Sequence, residues 1–352
     1  MRLNLPTALR PLDSIPVTPL VAALPKADLH VHQEWSPRLD RVLASRAGRA
    51  PFDWRAWAAQ LMNEYPPGAP RLRHIGSIQP VDPELDAVDE NFVARVEDLL
   101  EEAAAAGGAI LVELRFGGET VLRPNFMELF RRAEQRVQQR HPRLRAEAIF
   151  TLLLWYDPAR LERVVRACIE AADAGLRGID LLYQPYETEA EWTAAYRIAD
   201  RVAAVGLGVT AHAGEVSTAN ITAVLRVPGL TRIGHATHAP ADPRLLELLA
   251  ESRVTVECCL SCNVVLGAAP SYEEHPIRCF VEHGIPVVLG SDDPVQVCTT
   301  IGREYAAAHA LGFSPAELLA FTRNAIRAAF TTSERRQELL AELQAWEENK
   351  YH

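Results

Sequence analysis

The first 167 residues contain no cysteine, and five of the chain's six cysteines (Cys168, Cys258, Cys259, Cys262, Cys279 and Cys298) fall in its last third. That distribution is no disulfide framework and points to a reducing compartment. Long apolar runs are also missing. No segment approaches the roughly 20 apolar residues that a membrane-crossing helix needs. The one short candidate for a leader, residues 17–24, is broken by Pro19, and residues 1–15 have no apolar core. There is no Lys/Arg run, and the formal net charge of the 352 residues is −10, which argues against nucleic acid and anionic membrane surfaces as partners. What remains is ordinary globular composition, 48% hydrophobic and 23% charged. The expectation is a soluble, cytoplasmic protein with a small-molecule partner, and homo-oligomers are compatible with it.

Short apolar strands alternate with amphipathic helices along most of the chain. Strands are expected at 27–32, 109–116, 144–155, 178–183, 207–212, 231–235, 254–259 and 285–290. Helices are expected at 125–139, 158–174, 188–205 with Thr188 as N-cap, from 218, at 243–252 and at 275–283. Residues 39–62 read as largely helical, 66–83 as a proline-rich irregular excursion over a pocket, and 88–105 as a helix stopped by Gly107-Gly108. Ser314-Pro315 reads as an N-cap and first-turn proline, with helix from there to 351. Alternation of this kind builds βα units on a parallel sheet, and eight of them close a (β/α)8 TIM barrel. A doubly wound sheet would favour a glycine-rich phosphate loop after the first strand, and none is present. The expected organisation is one domain over 1–352, with a helical insertion at about 39–106 and C-terminal helices at about 314–351.

Polar residues recur where strands end. His30 and His32 alternate onto one face of the first strand, about 6–7 Å apart. His212 ends the fifth, with Glu215 just beyond. His235 ends the sixth, and Asp292 and Asp293 follow the eighth. Charged groups are costly in a core, and a barrel brings its strand ends together even though His30 and Asp292 lie far apart in sequence. Three imidazoles and one carboxylate make a first shell for a catalytic zinc with room for water. Glu113 and Arg115 read as barrel-stabilising pairing groups, His238 and His283 as surface or helix-end residues, and Cys258, Cys259 and Cys262 as buried packing around the seventh strand. A lone Cys-x-x-Cys is a weak metal or redox signal. The cytidine-deaminase pattern is only half matched by His32-Gln33-Glu34, because Cys258 rather than proline precedes Cys259.

Taken together, Lys26-Ala27-Asp28-Leu29-His30-Val31-His32, Glu113-Leu114-Arg115-Phe116, Gly178-Ile179-Asp180-Leu181, His212-Ala213-Gly214-Glu215, Arg232-Ile233-Gly234-His235, Glu257-Cys258-Cys259-Leu260-Ser261-Cys262-Asn263 and Ser291-Asp292-Asp293-Pro294 resemble the adenosine deaminase family of amidohydrolases. The resemblance implies that His30, His32, His212 and Asp292 hold one zinc or another divalent metal. It implies that Glu215 protonates the purine ring nitrogen beside the reacting carbon. His235 would orient the attacking water and stabilise its developing charge, and Asp293 would accept a hydrogen bond from that water and contact the base. The chemistry is coherent: a metal lowers the pKa of water from about 16 to near 7, and the acid must stay protonated at neutral pH.

The recognition end departs from the family. Leu-Asp-Gly after His-x-His becomes Gln33-Glu34-Trp35, so Glu34 is the expected substitute for the ribose-binding aspartate. Tyr183 stands where the family has a purine-contacting glycine. His-Gly becomes His235-Ala236, and Cys-Pro-x-Ser-Asn becomes Cys259-Leu260-Ser261-Cys262-Asn263. The expected activity is metal-dependent hydrolytic deamination of a purine-type base, nucleoside or modified nucleoside such as aminodeoxyfutalosine. The alternatives are hydrolysis of another C–N or ester bond on the same metal, and a non-catalytic binding protein, whose signature would be a lost ligand or a lost Glu215.

Overall fold

The computed structural model of the chain describes residues 9–10, 12, 15–33, 36–78, 83–183 and 187–350. Its centre is one eight-stranded sheet in simple sequential order: β1 (Lys26–His32), β2 (Ala109–Phe116), β3 (Arg145–Leu153), β4 (Gly178–Leu182), β5 (Gly208–Ala213), β6 (Leu230–His235), β7 (Thr255–Cys258) and β8 (Val287–Leu289). Every neighbouring pair is parallel. The ring closes at a parallel bridge between Val31 and Asp292. There the His32 amide donates to the Asp292 carbonyl at 2.9 Å, and the Asp292 amide to the His30 carbonyl at 2.7 Å. The expected (β/α)8 barrel is the fold. Strands such as β1, β2 and β4 are buried along their whole length because helices cover one face and the barrel interior the other.

At the N-terminal end of the barrel the Phe330 ring plugs the interior. Gly178 and Gly208 lie against that ring where a Cβ would collide with it, and the Arg232 guanidinium stacks on it at 3.8 Å. Among the described residues no helix is long and apolar enough to cross a membrane.

The helical insertion between β1 and β2 holds Arg38–Arg46, Trp54–Glu64, Ala69–Gly76 and Asp89–Glu101. The last continues through a wider turn, Glu102–Ala106, into Gly107, close to the expected stop. Elsewhere the structure corrects local expectations. The expected helical run at 39–62 is split, with Gly48 in a positive-φ turn and Asp53 capping the second helix through the Ala56 amide at 2.9 Å. The expected irregular excursion contains the helix Ala69–Gly76, with Pro70 in its first turn. Thr188 is no N-cap. The helix starts at Thr193 because Asn220 takes hold of the preceding segment: its Nδ2 donates to the Thr188 carbonyl at 3.0 Å, and its Oδ1 accepts from the Ala190 amide and Trp192 Nε1. Between β5 and β6 the expected helix from 218 is limited to Ile221–Val224, and a helix beyond the sequence expectation, Leu260–Leu266, follows β7. The Ser314 cap is a full capping box with Glu317. The C-terminal helical run is divided into Pro315–Ala328 and Ser333–Lys350.

Candidate active site

The C-terminal ends of β1, β5, β6 and β8 bring His30, His32, His212, His235 and Asp292 together. His32 Nε2 lies 3.3 Å from His30 Nε2 and 3.3 Å from His212 Nε2. Asp292 Oδ1 lies 3.4 Å from His32 Nε2 and 3.7 Å from His30 Nε2. All five residues are buried. The other side of two of these rings explains the arrangement. His30 Nδ1 donates to Glu257 Oε2 at 2.7 Å, an oxygen that also accepts from Arg115 at 2.5 Å. His212 Nδ1 donates to Asp180 Oδ1 at 2.9 Å, and Arg115 pairs with the same carboxylate at 3.1 Å. Burial pushes Asp180 up, but His212 and Arg115 outweigh it and hold the carboxyl well below the usual range. Burial, reinforced by Arg115, holds His30 well below the ordinary imidazole pKa.

With their protons committed to Nδ1, the two rings turn bare Nε2 lone pairs toward His32 and a carboxylate oxygen. His32 Nε2 can donate to one of these neighbours at most, so the remaining lone pairs converge with no proton between them, and this donor set fits a divalent metal. His30, His32 and His212 offer ligand atoms within 4.8 Å of one another. The backbone is strained to make the set: His235 (φ 68) and Asp292 (φ 60) adopt the left-handed region. Gly234 and Gly290 leave room for the His30 side chain, which a Cβ at either position would strike.

Sequence reasoning quoted Asp180 and Glu257 without giving them a role. Their signal was available: an acid at an inward position of a buried strand must have a partner. Glu113 and Arg115 do stabilise the barrel by pairing, though not with each other. Glu113 pairs with Arg232 and accepts from the Phe330 amide at 2.8 Å. Glu257 Oε1 faces Arg232 Nε at 2.7 Å and accepts from Thr210 at 3.2 Å.

Glu215 is buried beside this centre, its Oε1 3.6 Å from His235 Nε2. Burial first, then the charges of Asp292 and Asp293, raise its carboxyl well above the ordinary value. Burial and the neighbouring His212 keep His235 uncharged. Its Nδ1 faces Asn263 Nδ2 at 3.2 Å, and that amide also reaches Glu215 Oε1 at 3.4 Å.

A cavity of about 350 Å³ opens above these groups. His32, His212, Glu215, His235, Asp292 and Asp293 form its floor. Leu182, Trp155 and Cys262 line its walls, and Leu72, Arg73, Ile75 and Ser77 its roof. The three cysteines are buried as expected; Cys259 and Cys262 pack with Leu61, Ile75, Val265 and Leu266, and Cys262, on the helix Leu260–Leu266, also borders the cavity. Burial and the nearby Asp292 push its thiol well above the ordinary range. His283 is exposed at a helix end as expected, and His238 is half-buried at the start of a short turn.

The roof helix Ala69–Gly76 is latched by Arg71, whose guanidinium donates to the carbonyls of Met62, Tyr65 and Val265 at 2.9–3.0 Å. It thereby caps the C-terminal turns of two other helices. Arg73 on the same helix is exposed and pairs with exposed Glu187 across the cavity mouth. Tyr183 is not among the described lining residues; its hydroxyl donates to the Glu191 carbonyl at 2.6 Å and its ring packs on Trp192. Glu34 and Trp35 lie outside the described residues.

The parallel eight-stranded barrel thus gathers three histidines, an aspartate and a buried carboxyl of raised pKa at its C-terminal face. The adenosine deaminase family model matches residues 93–346, and the chain belongs to that family. The match begins inside the helix Asp89–Glu101, so it is the geometry that joins His30 and His32 of β1 to the rest. An adenine deaminase from Rhizobium leguminosarum bv. trifolii is 40% identical over 188 residues, covering 52% of this chain and 58% of its own. An adenosine deaminase from Shewanella loihica is 39% identical over 143 residues, covering 40% of this chain and 43% of its own. The chain thus spans about half the length of the curated relatives it matches. The crystal structure of an Arabidopsis N6-mAMP deaminase superposes with a TM-score of 0.75 at 22% identity, covering 93% of this chain and 100% of that one, a likeness of fold.

Proposed function

We propose that the chain is a metal-dependent hydrolytic deaminase that replaces the exocyclic amine of a purine-type base, nucleoside or modified nucleoside by oxygen, releasing ammonia. The observation that carries this reading is Glu215, a buried carboxyl raised well above its ordinary pKa beside the three-histidine centre. Hydrolysis of an amide or ester needs no acid held protonated for a ring nitrogen; deamination of an aromatic amidine does.

His30, His32, His212 and Asp292 would hold the cation, with zinc the expected metal. When bound, the metal supplies a Lewis acid that acidifies water at neutral pH. Glu215 donates its proton to the ring nitrogen next to the amine-bearing carbon, which localises a C=N bond and makes that carbon attackable. His235 presents Nε2 toward Glu215 and Asp292, at 3.6 Å and 3.9 Å, and stabilises the charge that develops on the attacking oxygen. Asp293 accepts a hydrogen bond from the attacking water and contacts the base. As the amine leaves as ammonia with the proton lost by the attacking water, the hydroxyl on the tetrahedral carbon returns its proton to Glu215 and the carbon gains its double bond to oxygen.

The relatives named adenine and adenosine deaminases support the purine class. At the mouth, among the described residues Arg73 pairs with Glu187 in an exposed contact, which a substrate bearing an anionic group would displace at small cost. The test is ammonia release, followed with the ultraviolet spectrum, over adenine, adenosine, deoxyadenosine, purine monophosphates, aminodeoxyfutalosine and non-purine aminoheterocycles, with zinc supplied and then chelated. Metal-dependent ammonia from one class names the substrate. Silence across the panel from protein holding one equivalent of metal overturns the deaminase reading in favour of another bond.

A further inference from the structure

Beneath the catalytic pair runs a chain of hydrogen bonds that begins at a donor whose direction is fixed. The backbone amide of Ile277 points at His275 Nδ1 at 3.2 Å, so that nitrogen is the acceptor and the ring's proton sits on Nε2. His275 Nε2 lies 3.1 Å from Asn263 Oδ1, and the Thr237 hydroxyl donates to the same oxygen at 3.2 Å. Two donors identify that atom as the carbonyl oxygen and turn the Asn263 amino group the other way. That group reaches His235 Nδ1 at 3.2 Å and Glu215 Oε1 at 3.4 Å, one N–H for each. An N–H aimed at Nδ1 requires a lone pair there. His235, Asn263 and His275 are all buried, so water does not compete for these bonds.

We infer that Asn263, oriented by His275 and Thr237, is a positioning residue that selects the neutral His235 tautomer with its proton on Nε2, the nitrogen toward Glu215 and Asp292. The consequence is chemical. Locked this way, His235 enters the reaction as a hydrogen-bond donor to developing negative charge and not as the base that deprotonates water. The second N–H engages Glu215 Oε1, which leaves Oε2 as the oxygen to carry the acid proton. One amide thus sets the proton positions of both groups. His275 stands 12 residues from Asn263 in the chain and serves the same purpose from outside the cavity lining.

The kinetic part of this inference rests on the proposed deamination; the tautomer does not. The experiment is nitrogen-15 NMR of the full-length, metal-loaded protein carrying labelled histidine, with His235 assigned by its loss in His235→Gln. The expected wild-type spectrum shows His235 Nδ1 as an unprotonated nitrogen and Nε2 as a protonated one. In Asn263→Asp the near-isosteric carboxylate keeps an oxygen for His275 and Thr237 but presents an acceptor to Nδ1. The proton should move to Nδ1, and kcat should fall by about 10²–10⁴-fold with KM little changed, as when an orienting partner imposes the wrong tautomer. His275→Leu should give mixed tautomers, and His275→Gln, which keeps an N–H donor, should restore the single one. A wild-type His235 protonated on Nδ1, or an Asn263→Asp protein whose His235 spectrum is unchanged, overturns the inference. The expected spectra with no deamination of any substrate would sink the proposed reaction and leave the tautomer lock standing.

Discussion

At and beneath the floor of the cavity three histidines each lean on a second buried polar group: His30 on Glu257, His212 on Asp180, His235 on Asn263. Arg115 joins Glu257 to Asp180, and Arg232 joins Glu257 to Glu113, so these acids form one lattice through the barrel. At the roof, Arg71 is the main latch and Arg73 meets Glu187 in an exposed pair. A buried charge cannot lose its partner without a large desolvation penalty, whereas an exposed pair is worth little. The floor is therefore built to keep one geometry, and the roof can change its substrate contacts at small energetic cost.

The sharpest way to break the comparison is at the floor itself. Glu215→Gln keeps shape and removes the proton; deaminase turnover should fall by about 10²–10⁴-fold while metal content, read by elemental analysis, stays at wild type. Loss of metal along with turnover would move Glu215 from acid to ligand. One layer down, Glu257→Gln and Asp180→Asn should weaken metal affinity by about 10–100-fold, measured by competition with a chromogenic chelator. Equal affinity in both variants would mean that the lattice supports the barrel and does not tune the rings.

A smaller effect concerns pH. Burial pushes His275 down to about 3 from its ordinary 6.5. Its folded pKa lies below its unfolded one, so the contribution to stability is complete above pH 6.5 and is lost as pH falls toward 3. Across that window the unfolded chain binds the extra proton, and the slope from this residue is up to about 1.4 kcal/mol per pH unit. Urea unfolding at pH 7, 6 and 5 should show a shallower decline in His275→Gln; an identical decline would remove His275 from the acid response. At the roof, Arg73→Ala should leave stability within about 1 kcal/mol and shift KM for anionic substrates only. A fall in kcat for uncharged substrates would show that the roof shares the floor's rigidity.

Much of the floor could be read from the chain because strand geometry is local. Alternation placed His30 and His32 on one face, and Glu215 stands three residues from His212. The roof could not. The helix Ala69–Gly76 lies within a proline-rich stretch, and its latch is Arg71 reaching Val265, 194 residues away. The displaced start of the helix Thr193–Ala203 depends on Asn220 holding Thr188, 32 residues away. Cys262 is packed as its neighbours in sequence suggest, and the helix Leu260–Leu266 also brings it to the cavity edge.

The sequence by itself determined the barrel, the order of its strands and the residue types at their ends, since hydrophobic period and strand-end polarity are written residue by residue. Tertiary structure decided which acids face Nδ1 of His30 and His212, which amide faces Nδ1 of His235 and what covers the cavity. Those are questions of distance between segments far apart in the chain, and only the closed barrel brings the segments within hydrogen-bonding reach.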